Sequence, residues 1–154
     1  MKHAIQLILS GLICVLLTSS LHGQDSSDTS ASTISQSDFA DRQAILKTLE
    51  NFYIGDKTGS IEHKKLSQFA KGAYRYINRD GEYAESPVDI TSDHSDPNYT
   101  EELLGIEIYN NMALARLRLE IKGVDGPEYK LMILHKSKEG WKISTICWGF
   151  GVTQ

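Results

Sequence analysis

Residues 104–150 repeat one pattern, short apolar runs separated by turn residues, and they follow an amphipathic stretch that closes on Tyr53-Ile54-Gly55-Asp56. Strands joined by such short turns pair as hairpins, and a hairpin sheet must bury one apolar face against something. Helices first and a strand meander afterwards therefore point to a small α+β domain, with a sheet curled around one helix and a pocket left between them.

Ile45, Leu46, Leu49, Phe52 and Tyr53 fall on one face at helical spacing, with Asp38 as N-cap and Gly55 as the stop. Ser60 predicts a second, shorter helix carrying Leu66, Phe69 and Ala70 and ending at Gly72. Asp80-Gly81 between aromatic runs around Tyr76 and Tyr83 predicts a hairpin, and the proline- and aspartate-rich residues 86–98 read as a loop. Leu104, Ile106 and Ile108 alternate, Asn110-Asn111 turns the chain, and Ala113, Ala115, Leu117, Leu119 and Ile121 alternate with Arg116, Arg118 and Glu120. Residues 129–135 and 141–150 are apolar on both faces. Leu131 and Ile133 oppose Met132 and Leu134; Ile146, Trp148 and Phe150 oppose Ile143, Thr145 and Cys147. One helix covers one face only, so the other implies a homodimer.

Lys2 and His3, an apolar run and then small polar residues give residues 1–23 the layout of a secretory signal peptide, with cleavage after Gly23. The run is too short to leave a stable membrane span after cleavage. Residues 24–37 are almost entirely Ser, Thr, Asp and Gln and read as a flexible polar tether, which leaves 38–154 as one domain. Cleavage at Gly23 removes Cys14 and leaves Cys147 alone, so an exported chain of this kind relies on its apolar core rather than on a disulfide. A net charge of -4 with scattered basic residues argues against nucleic acid as a partner.

The closing Phe52-Tyr53-Ile54-Gly55-Asp56 of the first helix, the Asp80-Gly81 turn, the stretch Ile106-Glu107-Ile108-Tyr109-Asn110-Asn111-Met112-Ala113 and the final Gly140-Trp141-Lys142-Ile143 resemble the NTF2-like superfamily, within it the group named for lumazine binding, or SnoaL-like. The resemblance covers nearly all of the mature domain. It implies a cone of curved antiparallel sheet wrapped around the long N-terminal helix, a cavity at its wide end and frequent homodimers. It implies no single chemistry, since the superfamily includes isomerases, cyclases, dehydratases and pocket proteins. The family's late histidine would fall near Cys147, and its acidic position before the penultimate strand's lysine reads Glu128-Tyr129-Lys130 here.

Proton-shuttling sites in such a cone need a base in an apolar cavity and a facing donor. The candidates are His135, ending an otherwise apolar strand, and Asp56 at the helix end; Tyr53, Tyr76 and Trp148 are candidate ligand-lining residues. His63, His94 and His135 are too scattered for a spacing-based metal site, and no cofactor motif is present. The reading is an exported pocket protein that binds a small apolar or aromatic molecule without catalysis, or an interaction module. The alternative is an isomerase, cyclase or dehydratase working by acid/base chemistry in the cone cavity.

Overall fold

A computed structural model describes residues 36–77 and 81–149; the expected signal peptide and nearly all of the tether lie outside the described residues. The chain order is α1 (Gln36–Thr58), α2 (Ile61–Ser67), β1 (Gln68–Ile77), β2 (Tyr83–Pro87), β3 (Tyr99–Tyr109), β4 (Met112–Ile121), β5 (Glu128–Ser137) and β6 (Gly140–Gly149). The strands form one curved, unclosed sheet in the order β2-β1-β6-β5-β4-β3. Its consecutive pairs are antiparallel, but β1 runs parallel to β6. The sheet is therefore mixed rather than wholly antiparallel. Among the described residues no helix is long and apolar enough to cross a membrane.

Helix α1 lies against the inner face of this sheet. Ile45, Leu49 and Phe52 join Ala113, Ala115, Leu117, Leu119, Met132, Leu134, Ile143 and Ile146 in one buried core. The helix is clamped at its start, where Asp41 accepts the Trp141 indole N–H at 3.1 Å and pairs with Lys136 at 2.6 Å. Those two contacts hold the Asp41 carboxyl below its ordinary value.

Four local expectations change. Helix α1 already includes Gln36 and Ser37 of the expected tether, so Asp38 stands in its first turn rather than capping it. Gly55 does not end α1; a Cβ there would stand 2.9 Å from the Lys64 backbone nitrogen, so its bare backbone lets the two helices approach. The helix stops at Gly59, whose φ of +73° favours glycine. Ser60 caps α2 as expected, accepting from the His63 amide, but Phe69 and Ala70 already belong to β1. Finally, Ile133 pairs with Thr145 and Leu134 with Ile143, so Ser144 is an extra residue in β6. This bulge changes the parity of the strand. Trp141, Ile143 and Ile146 are all buried on the inner face, and Ile143 does not side with Cys147.

Candidate ligand-binding site

The last turn of α1 delivers Asp56 and Lys57 to the open end of the cone, where the loop before β3 meets them. The Asp96 amide donates to the Asp56 carbonyl at 2.9 Å, and Lys57 Nζ donates to the carbonyls of Pro97, at 2.8 Å, and Tyr99. Lys64 of α2 does the same higher up, reaching the Ser92 and His94 carbonyls at 2.8 and 2.7 Å. Two lysines thus spend their charge on one loop and fix its path. Beneath them the Tyr99 hydroxyl donates to Asp56 Oδ2 at 2.6 Å.

Lys130 lies deeper. It sits on the inward parity of β5 with Met132 and Leu134 and is 1 % exposed. Its ammonium is 5.0 Å from the Phe52 ring centroid, 4.9 Å from Tyr99 and 5.1 Å from Trp148, and 3.6 Å from Glu101 Oε2. Three aromatic faces and one carboxylate surround it, an arrangement that suits a cation poorly served by water. Burial raises the Glu101 carboxyl above the ordinary carboxylate range and, as the largest cause, lowers the Lys130 ammonium. Both groups are pushed toward their neutral forms. Alongside, the Trp148 indole N–H donates to Glu128 Oε2 at 2.5 Å.

Two adjoining pockets open beside this cluster. One, of about 240 Å³, is walled by Tyr74, Tyr76, Ser86 and Trp148. The other, of about 210 Å³, shares Tyr74 and Ser86 and adds Asp56, Lys64, Gln68 and His94. The first is apolar and aromatic, and the second is lined mostly by polar and charged side chains. A larger, open cleft of about 710 Å³ runs from Lys57 and Tyr99 to the β4–β5 turn. There Arg118 is already paired with Glu102 and Glu120, and Lys57 with the loop carbonyls.

Burial first, and then the Asp56 carboxylate, push the Tyr74 phenol up to about 12. A folded value above the ordinary 10.0 means the native state holds that proton more tightly, so the associated stability is full below pH 10 and is lost as pH rises through 12. Alkaline unfolding of the Tyr74→Phe variant is therefore expected to begin at higher pH than that of the parent, read by far-ultraviolet circular dichroism. Identical onsets would show that Tyr74 is not held protonated by the fold.

Of the residues singled out in the sequence, Tyr76 and Trp148 share the apolar pocket and Asp56 lines the polar one. Tyr53 lines neither pocket and packs edge-on to Tyr99, with ring centroids 6.0 Å apart. His135 does not join the group. It is exposed on the parity of Tyr129 and Leu131, opposite Lys130 and Met132, with its Nδ1 2.9 Å from Ser144 Oγ. The expectation of His135 as a base in the cone cavity is corrected accordingly, because β5 turns its histidine outward. Sequence reasoning missed Tyr74, Tyr99, Glu101 and Lys130. For Lys130 the signal was there: counting back by twos from Leu134 and Met132 reaches it.

Comparison with known proteins rests on structure. No family profile matches the sequence, and no curated protein matches it. Among solved structures, an NTF2-like protein of unknown function from Shewanella baltica superposes with a TM-score of 0.59 at 16% identity, covering 71% of this chain and 93% of that one. Another, from Methylobacillus flagellatus, gives 0.59 at 18% identity over 76% of this chain and 94% of its own. The chain has the NTF2-like fold. A Shewanella frigidimarina protein provisionally assigned as a ketosteroid isomerase also shares the cone, with a TM-score of 0.51 at 19% identity over 68% of this chain and 94% of that one. In this NTF2-like fold the end of α1, α2, β1, β2, β6 and the loop before β3 line the two pockets.

Proposed function

We propose that the chain is an exported, non-catalytic binder of a small apolar or aromatic molecule, held at the open end of the NTF2-like cone. The observation that carries this reading is the apolar pocket of Tyr74, Tyr76 and Trp148, which opens onto a polar one through Tyr74 and Ser86. Apolar pockets with a few placed polar groups are the usual form of small-molecule sites. At about 240 Å³ this one has room for fused rings, since an apolar cavity of about 150 Å³ takes benzene. Native mass spectrometry of protein purified from its own host is expected to show a retained small molecule. Tyr74→Ala/Trp148→Ala is expected to lose it while remaining folded by circular dichroism. Equal retention by that variant would place the ligand elsewhere. The export part of the reading is supported by the layout of residues 1–23, and N-terminal sequencing of the mature protein is expected to start at Gln24.

One arrangement favours a second reading, an acid/base isomerase. Asp56 borders the polar pocket and is oriented by the Tyr99 hydroxyl at 2.6 Å, as a general base would be. Isomerisation of a ketosteroid that disappears in Asp56→Asn would favour it; binding without turnover favours the first reading.

A homodimer through the outer sheet face belongs to the same proposal. Met112, Tyr129 and Leu131 are 41%, 49% and 41% exposed there, flanked by the ion pairs of Arg116 with Glu107 and of Arg118 with Glu120. An apolar centre with a charged rim is the anatomy of an association surface. Light scattering at micromolar concentration is expected to give twice the chain mass, and Leu131→Glu to halve it. A monomer mass at all concentrations would count against the dimer.

A further inference from the structure

The polar pocket has an excess of hydrogen-bond acceptors. Asp56 receives the Tyr99 hydroxyl through Oδ2, and no described residue donates to its Oδ1. Gln68 lines the same pocket, is 4% exposed, and its Oε1 accepts no hydrogen bond from any described residue. A buried acceptor left unpaired costs roughly 1–3 kcal/mol, and Gln68 Oε1 is closed off by the protein itself, so the acceptor offered to a molecule in the pocket is the second carboxylate oxygen of Asp56. The lysine that could answer these acceptors is engaged elsewhere: Lys64 Nζ is held by the Ser92 and His94 carbonyls. Lys57 is held by those of Pro97 and Tyr99, and Lys130 faces Glu101 and the aromatic rings.

We infer that the ligand is a ring compound bearing a protonated amine, its rings between Tyr74, Tyr76 and Trp148 and its ammonium on Asp56 beside Gln68. The inference rests on the binding reading above and narrows it to a chemical class. The apolar and polar pockets share Tyr74 and Ser86, so a ring in one and an amine in the other belong to one small molecule with a short linker. An ammonium against Asp56 makes a charge-assisted hydrogen bond, and the aromatic walls suit a cation as well as an arene. An anionic analogue would set its carboxylate against Asp56 and be rejected.

The test is calorimetric titration of the intact mature chain at pH 8 with three probes of one shape: naphthylmethylamine, methylnaphthalene and naphthoate. The amine is expected to bind about tenfold or more tighter than methylnaphthalene, the gain of one charge-assisted hydrogen bond, and naphthoate to show no binding. In Asp56→Asn, whose amide oxygen can still accept from the Tyr99 hydroxyl, the amine is expected to lose its advantage over methylnaphthalene. In Tyr74→Ala/Trp148→Ala all binding is expected to weaken. If methylnaphthalene binds as tightly as the amine, or if Asp56→Asn keeps the preference, the amine inference is overturned and the binding reading stands. If no probe binds, both fall. Should Asp56→Asn fail to fold, the ranking of the three probes on the parent chain alone decides.

Discussion

Replacing Lys130 with Met is expected to cost about 3–5 kcal/mol at neutral pH, because it leaves the Glu101 carboxylate buried with nothing to balance it. Against a total stability of roughly 5–15 kcal/mol that is a large loss. The sign of its pH dependence follows from the two groups. Glu101 has a folded value above the ordinary 4.5, so its contribution is full below that pH and is lost as pH rises through the folded value. Lys130 has a folded value below 10.5, so its contribution is present above 10.5 and lost as pH falls through the folded value. With the lysine gone only the first term remains, and it grows. Urea unfolding is therefore expected to show the deficit shrinking from pH 8 toward pH 4.5, as the carboxyl takes up a proton. Lys130→Met/Glu101→Gln is expected to recover at least half of the loss, since the uncompensated charge is removed with its partner. Additive losses in the double variant would mean that the pair is not coupled and that Lys130 acts through packing alone.

The second large effect is at Gly59. A Cβ at this position would lie 2.1 Å from the Asp93 carbonyl oxygen, in a backbone conformation of φ +73° that already disfavours alanine. The conformational part alone costs about 1–2 kcal/mol, and the clash with backbone cannot be relieved by a rotamer. Gly59→Ala is expected to lose about 2–4 kcal/mol, the excess over conformation coming from displacement of the loop. That loop carries the carbonyls gripped by Lys57 and Lys64 and the Asp96 amide that binds the helix end. Hydrogen exchange at Asp96 should accelerate in the variant. Gly123→Ala is the control: its φ is +85° but nothing stands within 4 Å, so only the conformational cost is expected. Equal losses at the two glycines would show that the loop moves aside freely.

Much of this fold is local, and local patterns are written in the sequence. The helical spacing of Ile45, Leu49 and Phe52 and the alternation of Ala113, Ala115, Leu117 and Leu119 each state a buried face, and each is buried. The parallel contact of β1 with β6 is different, since Tyr74 pairs with Ile146 across the whole meander and no short-range rule encodes it. The bulge at Ser144 is one residue long yet changes which side chains of β6 share a face. For His135 the parity was legible, opposite to Met132 and Leu134, but which parity faces the helix was not. The site is least legible at Lys130, since a lysine in a strand ordinarily marks a solvent face and this one is among the most deeply buried side chains described.

The mixed sheet also governs the order in which the molecule can be assembled. β3, β4, β5 and β6 pair only with sequence neighbours among themselves, through turns of a few residues, whereas β1 gains its second partner only in the last strand. Closing that long loop is the slow, entropically costly event in a chain otherwise rich in hairpins. Tyr74 and Trp148, the two walls of the apolar pocket, sit on the two strands joined in that event. The pocket therefore does not exist in any species that lacks the β1–β6 pairing, and a ligand that spans the two strands would act as a clasp on the final step of folding.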